Sequence, residues 1–245
     1  MTSKKRYKLY SLLFETTSNY EVNLKKLLQL IEKCDENSIV VAGEVCLTGY
    51  DYENFDEVIS FAEIANEAIK KVSKDKIIIL SIIEKKDGEI FNFAKIFYNG
   101  EIVYQRAKAR LFRFGDEHKF MSEGDDEDIK IVEIDGIKIA IFVCFELRFK
   151  ELWQNSEGAD VIAVVAWWGV LRSEHFKALT QTLAILNQCY VIASDSLNDE
   201  CTKMSGIINP QGEVKRNGNI SCLEIPYNKK EILTMRRYMD IGLNG

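Results

Sequence analysis

The stretch Ile137 to Trp153, IKIAIFVCFELRFKELW, decides how the chain is read. It opens with Ile, Ala, Phe and Val around a single lysine, the composition of a largely buried strand. The run stops at Cys144, and charge returns at once with Glu146, Arg148, Lys150 and Glu151. Apolar residues recur at Phe149, Leu152 and Trp153, so Phe149 to Asn155 is expected to be a helix. A thiol therefore stands where a strand ends and an amphipathic segment begins. Two readings compete for it: small, inert core filling, or a nucleophile held at the lip of a sheet.

Outward from this stretch, strands and helices alternate. Lys130 to Ile134 pairs back onto Ile137 to Val143 through the turn Asp135-Gly136. Downstream come a strand over Asp160 to Ala166, a helix over Ser173 to Asn187 and a strand over Tyr190 to Asp195. Upstream, Arg6 to Glu15 and Ser38 to Glu44 read as strands, and Tyr20 to Cys34 and Asp56 to Ser73 as helices. Lys76 to Glu84, Phe91 to Tyr98 and Glu101 to Ala107 are strands joined at Asp87-Gly88 and Asn99-Gly100. Met204 to Ile225 reads as hairpin strands around Asn209-Pro210-Gln211-Gly212, and a last helix starts near Asn228. Helices in both halves and many hairpins point to mixed sheets with helices outside. No linker, low-complexity segment or repeat divides the 245 residues, so one α/β domain over 1–245 is expected.

The bulk properties exclude several classes. A net charge of -6 offers no electrostatic reason to bind nucleic acid or an anionic membrane, and Lys4-Lys5-Arg6 reads as a solvated terminus. No signal peptide is visible, and the longest apolar run, Val161 to Leu171, falls short of the ~20 residues of a membrane helix. A cytoplasmic protein is expected. Its cysteines, Cys34, Cys46, Cys144, Cys189, Cys201 and Cys222, then stay reduced. They form no CxxC, and only His118 and His175 accompany them, so neither a metal nor a cofactor is expected.

Glycine-rich nucleotide loops and a GxSxG elbow are absent. A thiol of pKa about 8.5 is only slightly ionised at neutral pH, so a nucleophilic Cys144 needs a base. A buried carboxylate can serve. It also needs a fixed positive group for the oxyanion formed at an attacked carbonyl or nitrile carbon. Glu44 follows an apolar strand in SIVVAGEVCLTGY, and Lys108 ends the strand that begins after Asn99-Gly100. Each has a plainer reading, Glu44 as a capping or surface carboxylate and Lys108 as a strand-end lysine with its ammonium in water.

Together these segments resemble the carbon–nitrogen hydrolase (nitrilase) superfamily. Gly43-Glu44-Val45-Cys46-Leu47-Thr48-Gly49-Tyr50 is similar to the family's PE…TGY segment, Lys108-Ala109-Arg110-Leu111-Phe112 with Glu117, Phe120 and Gly124 to its KxHLF region, and Cys144-Phe145-Glu146-Leu147-Arg148-Phe149-Lys150-Glu151 to CYDLRFPE. Trp167, Trp168, Arg172 and His175 resemble its NWP…R..HW region. Ala184, Ile185, Asn187, Gln188, Tyr190 and Val191 resemble RAIENQxYV, and Ile208 to Gly212 the late (D/N)PxG turn. The FGDEHKF segment looks most like the omega-amidase-like branch, which acts on side-chain amides of 2-oxo acids.

The resemblance implies a four-layer αββα sandwich, two mixed sheets packed face to face with helices outside. It implies a Glu44–Lys108–Cys144 triad that hydrolyses a small amide through a thioester and releases ammonia. Glu44 would be the base, and Lys108 with the Phe145 N–H the oxyanion donors. Glu117 would be the second glutamate, which positions substrate. Trp167, Trp168 and His175 would contact substrate, and a homodimer or higher homo-oligomer is implied. Nitrilase and N-carbamoyl amide hydrolase chemistry stay open, as does a binding or regulatory subunit that keeps the fold. The departures are Gly43, Arg110, Glu146, Lys150, Leu183, Leu186 and Lys203, none of them in the triad.

Overall fold

The structure, a computed structural model, describes residues 5–243. Of the basic terminus, Lys4 lies outside the described residues, and Lys5 pairs with Asp135 at 2.8 Å. The chain first lays down β1 (Lys8–Leu12), α1 (Tyr20–Glu32), β2 (Ser38–Val41), α2 (Phe55–Val72), β3 (Lys76–Lys86), β4 (Glu89–Tyr98) and β5 (Glu101–Ala107). A second series follows: β6 (Val132–Ile134), β7 (Ile137–Val143), β8 (Val161–Val165), α3 (Ser173–Asn187), β9 (Tyr190–Ser194), β10 (Gly206–Ile208) and β11 (Val214–Arg216). Last come β12 (Cys222–Pro226) and α4 (Lys229–Tyr238).

Two mixed six-stranded sheets result, ordered β12-β1-β2-β3-β4-β5 and β11-β10-β9-β8-β7-β6. They pack face to face with helices outside, the four-layer αββα sandwich. The alternation along the strands shows why. Leu9, Ile39, Val41, Ile77 and Ile79 point into the core shared with the second sheet. Tyr10, Val40, Ala42, Ile78 and Leu80 point the other way, into a core with Leu24, Leu27 and Ile31 of α1 and Phe61, Ala65 and Ile69 of α2. A strand buried on both faces has no polar face, which is why these segments read as continuous apolar runs. Ser11 and Ser194 stitch the sheets together, donating to Ala193 O at 2.9 Å and Val41 O at 2.7 Å.

The sheets share one plan. From β12 across to β5 the pairings run antiparallel, parallel, parallel, antiparallel, antiparallel. From β6 across to β11 they run in the same order. The repeat is one of topology, and the residues that carry it share no pattern detectable along the chain. It places the carboxyl ends of β2, β5, β7, β8 and β9 around one opening.

Three expectations are corrected. Phe149 to Asn155 is not an α-helix: Cys144–Arg148 and Lys150–Ser156 are separate 3-10 stretches, interrupted by an extended Phe149 at φ -103, ψ 91. The strand expected over Ser38 to Glu44 ends at Val41, so Glu44 sits in the loop beyond it. Met204 to Ile225 is not one hairpin set. Its β10 and β11 pair with each other, whereas β12 crosses to the first sheet and pairs with β1, Leu12 opposite Cys222. Among the described residues no helix is long and apolar enough to cross a membrane.

Candidate active site

Glu44, Lys108 and Glu117 meet inside the opening, all three almost wholly buried. Lys108 Nζ donates to Glu44 Oε1 at 2.8 Å and to Glu117 Oε1 at 2.9 Å, with Tyr50 OH at 3.3 Å. Glu44 Oε1 also accepts from Tyr50 OH at 2.6 Å and Asn92 Nδ2 at 2.9 Å. Its other oxygen, Oε2, accepts from the Trp167 N–H at 3.0 Å. Glu117 Oε2 accepts from the Phe112 N–H at 3.1 Å. Two carboxylates around one ammonium leave the cluster one negative charge in surplus.

The backbone sets these positions. Val45, directly after Glu44, holds φ at 41°, and its carbonyl accepts from the Gly49 N–H at 2.8 Å. This is an unusual conformation for a β-branched residue. Cys144 is likewise held at φ 44°. Such sparsely populated backbone persists only where its surroundings over-determine it. The Cys144 thiol donates to Trp167 O at 3.5 Å, so the backbone of one residue links both groups: the Trp167 carbonyl faces the sulfur and the Trp167 N–H faces Glu44.

Glu146 ties the remaining strand ends together. It is fully buried and takes a fork-to-fork pair from Arg106, NH1 at 2.7 Å and NH2 at 2.6 Å. It also accepts from the Ala109 N–H at 2.7 Å and the Val143 N–H at 2.6 Å. Those two amides belong to the neighbours of Lys108 and Cys144. One carboxylate therefore clamps the residues flanking both. Its hold on the Val143 N–H caps the 3-10 stretch that begins at Cys144.

Electrostatics set the resting protonation. Burial, and then Glu44, push the Cys144 thiol well above the ordinary cysteine range, against the pull of Lys108. The resting sulfur is a neutral thiol. Burial opposes the charge of Lys108, but Glu44 and Glu117 outweigh it and hold the ammonium above the usual lysine range. Burial raises Glu117, with Lys108 opposing. Burial, then Glu117 and Glu44, keep Tyr50 a neutral donor.

A cavity of about 460 Å³ opens over this cluster, lined in part by Tyr50, Phe112, Glu117, Cys144, Trp167 and Arg172. A smaller recess adjoins it, where Phe145, Arg148 and Trp168 join Cys144 and Arg172. Arg148 lies over the Trp168 ring at 4.8 Å and Arg172 over the Phe112 ring at 5.3 Å. Gly169 makes room, since a Cβ there would come within 2.6 Å of the Arg172 guanidinium. Among the described residues neither arginine forms an ion pair with a carboxylate.

The expected site residues are thus distributed as follows. Glu44, Lys108 and Glu117 form one hydrogen-bonded cluster, with Cys144 beside it through the backbone of Trp167. Phe145, Trp167 and Trp168 line the cavity or its recess. His175 does not: it is exposed and meets Arg148 NH2 through Nδ1 at 3.1 Å, one residue removed from the opening. His118 is also exposed. Residues given no role from the sequence are Asn92, Arg106, Arg148 and Asp195. Asp195 is buried and accepts from the Trp168 N–H and the Thr202 N–H, both at 2.9 Å. Polar side chains at or within apolar strands were the available signal for Asn92, Arg106 and Asp195.

Residues 11–219 match the model of the carbon-nitrogen hydrolase family. The 2-oxoglutaramate amidase of Bacillus subtilis is 32% identical over 209 residues, covering 80% of each chain. Omega-amidase YafV of Escherichia coli is 28% identical over 199 residues, covering 78% of this chain and 77% of that one. The crystal structure of XC1258 from Xanthomonas campestris, a CN-hydrolase superfamily protein with an arsenic adduct in its active site, superposes with a TM-score of 0.85 at 20% identity, over 98% and 97% of the two chains. The chain belongs to the carbon–nitrogen hydrolase family. It is an enzyme that works through a cysteine nucleophile, which sets aside the reading of a fold kept without its chemistry.

Proposed function

We propose that this chain is an omega-amidase-like hydrolase. It would release ammonia from the terminal amide of a small substrate whose far end carries a carboxylate. The observation that carries this reading is the pair of guanidiniums, Arg148 and Arg172, which border the recess beside Cys144 without carboxylate partners among the described residues. Planar forks suit a carboxylate. A substrate amide at Cys144 with its carboxylate on this pair is a short, doubly polar molecule. The similarity to a 2-oxoglutaramate amidase and to an omega-amidase supports the same substrate class.

The chemistry follows from the lone pairs. Glu44 Oε1 already accepts three hydrogen bonds, while Oε2 accepts one. Oε2 is therefore the oxygen free to take the Cys144 proton once the thiol rotates away from Trp167 O. Because the resting thiol is neutral, deprotonation accompanies attack on the amide carbon. The oxyanion receives a hydrogen bond from Lys108 Nζ. A second comes from the Phe145 N–H, in the first turn of a 3-10 stretch whose opening amides have no helical acceptor. Glu44 returns its proton to the departing ammonia, and a thioester remains on Cys144. Glu44 then activates water to cleave that thioester, with Glu117 holding Lys108 in place and positioning substrate. Trp167 and Trp168 form the walls, and His175 acts through Arg148.

We read residues 1–245 as one domain, in at least a homodimer. Ile185 and Leu186, 43% and 53% exposed on α3, offer an apolar face for a second copy. Six free thiols fit a reducing, cytoplasmic setting. The test of the substrate class compares Arg148→Ala and Arg172→Ala on two amides of equal length, one ending in a carboxylate and one neutral. Loss of a charge-assisted pair is worth ~1.5–3 kcal/mol, so KM for the carboxylate substrate rises about 10- to 100-fold. The neutral amide is affected far less. Equal effects on both would overturn the reading.

A further inference from the structure

Outside this opening, two other cysteines meet. Cys34 follows the end of α1, and Cys222 opens β12, 188 residues later. Their sulfurs are 3.9 Å apart. Five of the six cysteines are buried, and Cys222 is the exception. Both pack against the core beneath α1, in which Leu24, Leu27 and Ile31 take part. The Cys34 thiol also reaches Leu30 O at 3.3 Å, and Lys76 Nζ caps the neighbouring Ile31 carbonyl at 3.1 Å.

We propose that Cys34 and Cys222 are a modification site: under peroxide they join in a reversible intramolecular disulfide. The sulfurs must close from 3.9 Å to the ~2.05 Å of a bond. The two thiols are not equivalent. Cys222 is the accessible one, and the hydrogen bond between the two sulfurs holds its pKa below the ordinary thiol value. That same bond, with burial, raises Cys34. Cys222 therefore reacts first. Its thiolate attacks one oxygen of hydrogen peroxide, the O–O bond breaks, hydroxide leaves and a sulfenic acid forms. Cys34 then attacks the Cys222 sulfur. An S–S bond forms, the S–O bond breaks, and the displaced oxygen takes up the Cys34 proton and leaves in water. In sum, two thiols and one peroxide yield one disulfide and two waters.

The bond would tie α1 to β12, an edge strand that only β1 holds in the sheet. It would close a loop that spans Glu44, Lys108 and Cys144 without touching any of them. Stability should rise because the unfolded chain is constrained.

The test uses the full chain with Cys144→Ala, which removes the other reactive sulfur. After peroxide treatment and blocking of free thiols, unreduced tryptic peptides are analysed by mass spectrometry. Cys34 and Cys46 share a tryptic peptide, the stretch between Lys33 and Lys70 containing no Lys or Arg before its end, so fragmentation must assign the link. We expect Cys34 joined to Cys222, the pair lighter by two hydrogen atoms. Dithiothreitol should reverse the link, and Cys222→Ser should lack it. The melting temperature should be higher in the oxidised than in the reduced sample. Recovery of both peptides singly, with Cys34 blocked as a thiol or Cys222 over-oxidised, would overturn the proposal. So would a link from Cys222 to any other cysteine.

Discussion

Replacing Lys108 with methionine tests whether the buried cluster is an electrostatic unit. Methionine keeps much of the lysine's length and apolar stem but removes the ammonium. Glu44 and Glu117, 1% and 4% exposed, would then share a pocket with no cation between them. Removing one partner of a buried ion pair typically costs ~3–5 kcal/mol. For a chain of this size that corresponds to a melting point lowered by about 6–20 °C. The cost should depend on pH with a definite sign. Without the lysine, two adjacent carboxylates cannot both ionise cheaply, so one has its folded-state pKa raised above the unfolded value of about 4.3. A raised carboxyl destabilises the fold above the unfolded pKa and ceases to do so below it. The deficit relative to wild type should therefore be full near pH 7 and shrink as pH falls toward about 4. Thermal melts of both proteins across that range read this directly. Turnover at neutral pH should fall by the ~10²–10³ typical of a lost oxyanion donor. A pH-independent deficit, or one below about 1 kcal/mol, would refute the claim that Lys108 offsets the repulsion between two buried carboxylates. An unchanged kcat would remove it from the chemistry.

Two further substitutions probe the frame around the cluster. Cys144→Ala should abolish ammonia release while costing only about 1 kcal/mol of stability, measured by denaturant melts beside an amide assay; residual turnover would unseat the nucleophile. Gly124→Ala would place a Cβ 2.6 Å from Ala107 O, against the strand end that leads into Lys108, while Gly124 N–H still holds Lys108 O at 2.8 Å. Overpacking costs ~1–3 kcal/mol, and displacing Lys108 should lower kcat by about 10- to 100-fold; a normal kcat would show that the contact relaxes without moving the lysine.

The central strands were legible in the sequence because each is buried on both faces. A run such as Ile77 to Leu80 needs no partner to be recognised. The proposed triad residues, Glu44, Lys108 and Cys144, stood out for a related reason: a reactive or charged residue beyond the end of an apolar run contrasts with it. What stayed hidden depends on which strand ends meet. Arg106 and Glu146 lie 40 residues apart, and nothing local marks them as a pair. Their bidentate contact exists only because β5 and β7 belong to different sheets that pack face to face. The crossing of β12 was hidden likewise: short, half-exposed strands after a turn look alike whether they continue a hairpin or leave for another sheet. Its partner β1 is more than two hundred residues earlier.

The departures from the family pattern gain physical meaning from the same packing. Lys203 stands where the pattern has glycine and adopts φ 59°, a conformation glycine reaches without strain. Leu183 is fully buried and Leu186 is half exposed, so the two lost charges of one helix have different consequences. The first repacks the core, and the second enlarges an apolar outer face. Glu146, longer by one methylene than the aspartate of the pattern, reaches the Val143 and Ala109 amides and the Arg106 fork together. Glutamate and arginine thus act as one unit at this position. Shortening Glu146 alone would leave a buried guanidinium incompletely paired, so the position tolerates aspartate only if its partner changes as well.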